Sequence, residues 1–193
     1  MEYTMKWESR FDRALNTARA EKKHILVHFF SPESKDCQRM DEVTYPSDRV
    51  VEFIHKNIVP LRVSMGSDSL VQYFKISQTP SMILLDATGR EHHSASGFMP
   101  PEELIPSLLL GIANACFYWD RFSRALTCLE RLLTEFPGSD SVPESIYLRG
   151  VCRYRSTYNS RTLKEAYEKL LSEYPAIDWR KWSYPTRSVT VRV

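Results

Sequence analysis

The chain has 193 residues, of which 42% are hydrophobic, 12% aromatic and 26% charged. That content can close a core, and its charge is too balanced for a disordered chain. Twenty-six basic residues against 24 acidic ones give a net charge of +2, and residues 176–193 alone carry +3 (Arg180, Lys181, Arg187 and Arg192 against Asp178). The remainder, near −1, is far short of the basic field of a nucleic-acid reader, so no nucleic-acid partner is expected.

In chain order, Trp7, Phe11, Ala14, Leu15 and Ala18 fall on one helical face, which predicts a helix over 7–21. His24–Phe30 is a short run rich in strand formers. Ser34 is placed as the N-cap of a helix whose inner face carries Cys37, Met40 and Thr44. Pro46-Ser47-Asp48 restarts a helix with Val50, Val51, Phe53 and Ile54 inside, and Ile58–Val63 follows as a strand. A short helix over Asp68–Phe74, a buried strand over Ser81–Leu85, a turn at Asp86–Gly89 and a weakly alternating strand over Arg90–Gly97 complete the first part. Strands separated by helices are expected to run parallel, and the last two to form a hairpin.

From Pro101 the strand signal ends. Helices are predicted near 104–118, 121–136, 143–155 and 161–174, as two hairpins that must stack to bury their apolar faces. Leu132-Leu133-Thr134-Glu135-Phe136-Pro137 recurs as Leu170-Leu171-Ser172-Glu173-Tyr174-Pro175. In the tail, Trp179 and Trp182 are expected to dock and the last residues to be loose. The expected division is 1–110, 111–175 and a basic tail over 176–193.

No run of 18 apolar residues occurs, and the longest patch, Leu108–Ala113, is broken by Gly111, so no membrane partner is expected. Met1–Arg10 has no apolar segment of a secretory signal. The four cysteines, Cys37, Cys116, Cys128 and Cys152, form no C-x-x-C pair. This fits a reducing, cytoplasmic compartment and neither a disulfide scaffold nor a zinc ribbon. Cys116, Cys128 and Cys152 read as core fillers, and no metal or cofactor is expected. His92 and His93, adjacent on a strand, face opposite ways. Tyr118 and Trp119 read as packing residues.

Ile25-Leu26-Val27 leading into Phe29-Phe30, the loop into Cys37-Gln38-Arg39-Met40, Gln78-Thr79-Pro80-Ser81, and Leu85-Asp86 through Gly89 to Gly97-Phe98 together resemble the thioredoxin superfamily, over roughly residues 5–110. Residues 111–175 are similar to a pair of tetratricopeptide-type repeats. The resemblance implies an α/β fold with a thioredoxin-like mixed sheet flanked by helices, followed by a small all-α helical-hairpin part. It also implies a cis-proline loop at Thr79-Pro80 that presents backbone groups to an extended polypeptide.

The departures from the resemblance bear on chemistry. Where the family carries Trp-Cys-x-x-Cys, this chain has Glu33-Ser34-Lys35-Asp36-Cys37, with Ser34 at the attacking cysteine and His28 at the family's buried acid. A 34–37 disulfide is therefore impossible, and dithiol exchange is not carried over. Two readings of the site follow. In one, Cys37 is a small core residue, Ser34 only caps the helix, and the chain binds a protein or peptide through Thr79, Pro80 and the helical hairpins. In the other, His28 lies beneath the loop near Cys37 and generates a thiolate for monothiol redox chemistry or a peroxide response, with Ser34 as a donor to a bound thiolate. A third is descent from a redox protein with a purely structural role now. Oligomeric state is left open.

Overall fold

The computed structural model describes residues 5–66 and 69–175. The basic tail, with Trp179 and Trp182, lies outside the described residues. The elements run α1 (Phe11–Glu21), β1 (His24–Phe30), α2 (Lys35–Arg39), a π-helical turn (Met40–Thr44), α3 (Asp48–Asn57), β2 (Ile58–Ser64), α4 (Ser69–Tyr73), β3 (Ser81–Leu85), β4 (Glu91–Ser96), α5 (Pro101–Tyr118), α6 (Phe122–Glu135), α7 (Val142–Thr157) and α8 (Arg161–Glu173).

The four strands form one mixed sheet in the order β2-β1-β3-β4. β1 pairs parallel with β2, with Val27 opposite Leu61, and antiparallel with β3, with Val27 opposite Ile83. β3 and β4 form the antiparallel hairpin. The parallel expectation thus holds for β1 and β2. It fails for β3, which runs antiparallel to β1 although Leu70 and Val71 of the five-residue α4 pack against the sheet.

Alternation along β1 sorts the core into two layers. Ile25, Val27 and Phe29 pack with Ala14 and Ala18 of α1. Leu26 faces the other way, with Phe53 and Ile54 of α3 and Leu108 of α5. Both faces of β1 are covered, which accounts for its nearly continuous apolar run.

Helix α1 begins at Phe11, not near Trp7. The Glu8 N–H donates to the Pro60 carbonyl at 2.8 Å, and the Arg62 N–H donates to the Glu8 carbonyl at 3.0 Å. Residues before Arg10 are therefore drawn out along β2. The apolar spacing that suggests a longer helix instead places Trp7 in the α3–α5 layer.

Helix α5 is buried almost end to end, from Leu104 to Cys116. A Cβ on Gly111 would lie 2.7 Å from Leu84 Cδ2 and 2.9 Å from His93 Cβ, so the glycine permits close approach to the sheet. Residue 110 falls inside α5, and one apolar cluster extends from Leu26 of the sheet to Leu170 of α8. The repeated hexapeptide is structural: α6 and α8 end at Phe136 (φ −133°, ψ 54°) and Tyr174 (φ −135°, ψ 55°), whose N–H groups donate to Leu132 and Leu170. Leu170 is buried, whereas Leu171 is 43% exposed, as befits the terminal helix of a stack.

Candidate functional site

The loop after β1 and the loop before β3 meet at one end of the sheet, because β1 ends where its antiparallel neighbour β3 begins. Ser34 sits at the start of α2 in extended conformation (φ −74°, ψ 116°) and caps it: its Oγ accepts from the Cys37 N–H at 3.3 Å. The same hydroxyl donates to the Thr79 carbonyl at 3.1 Å, across 45 residues. Ser34 therefore ties the helix start to the Thr79–Pro80 loop, and its proton is committed to that bond.

The Thr79–Pro80 peptide is cis, and the Pro80 carbonyl accepts from Gly97 N–H at 2.8 Å. The Thr79 N–H has no hydrogen-bond partner among the described residues, and Gln78 beside it is exposed. Pro32, Glu33 and Lys35 are exposed on the facing loop, while Pro80 itself is buried.

Cys37 is fully buried, and all four cysteines are free thiols. Cys116, Cys128 and Cys152 lie on α5, α6 and α7. Burial raises all three thiols, Cys128 to about 11 and Cys152 to about 12, so they are held neutral, Cys116 and Cys152 inside the core and the half-buried Cys128 against it.

His28 is fully buried on the Leu26 face of β1. Its ring neighbours are Tyr45 (centroids 5.2 Å apart), Trp7 (5.6 Å) and Phe30 (6.2 Å). Neither imidazole nitrogen has a hydrogen-bond partner among the described residues. Burial, and secondarily the Arg62 guanidinium, push its pKa down to about 3. The ring is thus neutral at pH 7 and a poor base. Tyr45 borders both His28 and Cys37: its ring contacts the imidazole, and Cys37 lies within electrostatic reach of its hydroxyl. Burial holds that hydroxyl well above the ordinary tyrosine range.

Sequence reasoning did not foresee Trp7, Tyr45 and Arg62 around His28. The π-helical turn at Met40–Thr44 leads the chain directly into Tyr45, which is buried against the sheet, and a helix periodicity carries no sign of such a turn. Arg62 lies over the Phe30 ring at 4.1 Å and pairs with Asp41 at 2.7 Å.

A second polar centre was legible only as a turn. Asp86 accepts from the Thr88 N–H (2.8 Å) and the Trp119 Nε1–H (2.9 Å), and shares a 2.8 Å bond with His92 Nε2. Burial opposes ionisation there. The bonds from His92, Thr88 and Trp119 outweigh it and hold the carboxyl well below its ordinary range. His93 faces the opposite side and bonds to Ser107 at 2.9 Å, as expected for adjacent strand residues.

A family model described as a thioredoxin-like domain matches residues 11–111. Among solved structures, a putative disulphide-isomerase from Bacteroides thetaiotaomicron is 20% identical over 56% of this chain and 93% of its own, with a TM-score of 0.51. A thioredoxin from Thermus thermophilus is 22% identical over 51% of this chain and 79% of its own, with a TM-score of 0.46. The first of these shares the fold. No curated protein matches the chain. Among the described residues no helix is long and apolar enough to cross a membrane.

Proposed function

This chain belongs to the family of thioredoxin-like domains, and from that premise we propose that it is a polypeptide-binding member that does not cycle a dithiol. The observation that carries the reading is the Ser34 hydroxyl. It occupies the start of α2, where the family resemblance puts an attacking sulfur, and it is used within the protein as a cap and as a tie to Thr79. The Ser-x-x-Cys stretch is then a structural remnant of a redox motif, working in a reducing, cytoplasmic setting that keeps the four thiols free.

The Thr79 N–H and the exposed rim around Gln78 and Lys35 supply the docking edge, where an extended chain adds main-chain hydrogen bonds as a short strand. The helical part over 111–175, read as a tetratricopeptide-like extension, widens the binding surface while sharing a core with the sheet. The thiol reading has less support. A His28 neutral down to about pH 3 lends Cys37 no positive charge, and Cys37 has no surface for a substrate to reach.

Two measurements test this. In an insulin-reduction assay the wild-type chain should show no turnover, whereas Ser34→Cys should acquire a reversible 34–37 disulfide; wild-type turnover that depends on Cys37 would end the proposal. Titration with a reduced, alkylated unfolded polypeptide should move the amide resonances of Gln78 and Thr79. Unmoved resonances at saturating polypeptide would refute the docking edge.

A further inference from the structure

At the opposite end of the sheet from Ser34 and Pro80, where β1 begins at His24, a cavity of about 350 Å³ opens between the α1–β1 corner, the end of α3, and helices α5 and α6. That volume lies at the small end of ligand pockets, roughly 300–1,000 Å³. Its floor is apolar: Phe53, Leu109 and Ile112, all buried. Its rim is cationic, with Lys22, Lys56, Arg124 and Arg131. The one carboxylate among the lining residues, Glu21, is engaged by Lys23 at 2.7 Å. A smaller cavity of about 120 Å³ shares Phe53, Lys56, Asn57 and Arg131 with it and adds Arg49, Glu52 and Ile105.

Part of this charge has a local explanation. Helices α1 and α3 end here, and cations suit helix C-termini; Lys23 Nζ indeed donates to the His55 carbonyl at 2.7 Å. Arg131 has Glu135 at 2.9 Å. Arg124 has no such account. It is the third residue of α6, where the helix dipole is positive and disfavours a cation, and the first turn of α6 contains no acidic residue. Arg121 just before it adds a second positive charge, and the preceding acid, Asp120, is held by Arg155 at 2.9 Å. Among the described residues Arg124 has no ion-pair partner. It lies within electrostatic reach of His24, Cys116 and Cys128, all of which line the cavity.

We propose that this cavity is a binding site for a small amphiphilic anion, a carboxylate, sulfonate or phosphate carried on an apolar or aromatic body. The anionic group sits at Arg124 and Lys56, and the body lies on Phe53, Leu109 and Ile112. The ligand bridges the sheet layer and the helical hairpins, at a place separate from the polypeptide-docking edge.

The test is a fluorescence titration of the full chain with 8-anilinonaphthalene-1-sulfonate, whose sulfonate and aromatic rings stand for the two halves of the ligand. One saturable site per chain is expected, weakened about fivefold or more by Arg124→Gln. N-phenyl-1-naphthylamine, the same aromatic body without the sulfonate, should bind about tenfold more weakly than the sulfonate. Saturating dye should also slow iodoacetamide alkylation of Cys128, the half-buried thiol in the cavity wall. Equal dye affinity in wild type and Arg124→Gln, equal affinity for the neutral analogue, or an unaltered Cys128 rate overturns the proposal, as does unsaturable binding. If Arg124→Gln loses its native circular dichroism, the exposed Lys56→Gln decides by the same criteria.

Discussion

The His28→Leu substitution separates a buried neutral histidine from a catalytic one. In the unfolded chain the imidazole titrates near 6.5, and in the fold burial depresses it to about 3. Between those values the unfolded state binds the extra proton. The contribution of His28 to stability is thus complete above about pH 6.5 and is lost as pH falls toward 3. One pKa unit corresponds to about 1.4 kcal/mol, so lowering the pH from 8 to 5 costs about 2 kcal/mol through this residue alone. His24 and His93, both held to about 4, act in the same direction. Leucine removes this term and also two buried nitrogens without partners, worth roughly 1 kcal/mol. Urea unfolding followed by tryptophan fluorescence should find His28→Leu about 1 kcal/mol more stable than wild type at pH 8 and about 3 kcal/mol more stable at pH 5. Stability curves that stay parallel across that range would refute the neutral, buried His28 and revive its pairing with Cys37.

Ser34→Ala removes the cap of α2 and the tie to Thr79, and should cost about 1–2 kcal/mol in urea unfolding; an unchanged midpoint would deny the hydroxyl its structural role. Asp86→Asn should destabilise by about 2 kcal/mol and alter the Trp119 emission, since the carboxylate is an acceptor for Thr88 and Trp119. Because the Asp86 pKa is depressed in the fold, this contribution is present above about pH 4 and is lost as pH falls below it, so wild type and variant should converge in acid. Gly111→Ala forces a methyl against Leu84 and His93 and should lower stability by about 1–3 kcal/mol, measured by thermal melting.

The periodicities of the sequence carried most of the fold. Helices α5 to α8 and strands β1, β2 and β3 are where their apolar patterns place them, because each pattern reflects burial that the fold provides. Long-range pairing is what such patterns miss. Trp7 continues a helical face in sequence, yet the bonds of Glu8 to β2 pull it into extended chain. Ser34 was readable as a cap because a cap is local. Its second bond joins residues 45 apart and depends on β1 and β3 ending together. The surroundings of His28 depend on a π-helical turn and on Arg62 from another strand, neither of which has a short-range signature. The cavity at His24 is assembled from five separate elements and left no motif at all.

The central claim, a fold of this family whose remaining motif cysteine is an inert core residue, is most directly tested by mass-mapped alkylation of Cys37 in the native chain across pH 6 to 9. Cys37 should be modified only as fast as the whole protein unfolds, equally in wild type and His28→Leu once their stabilities are matched by urea. Rapid labelling of Cys37 at pH 7 in the folded chain, slowed by His28→Leu, would contradict it.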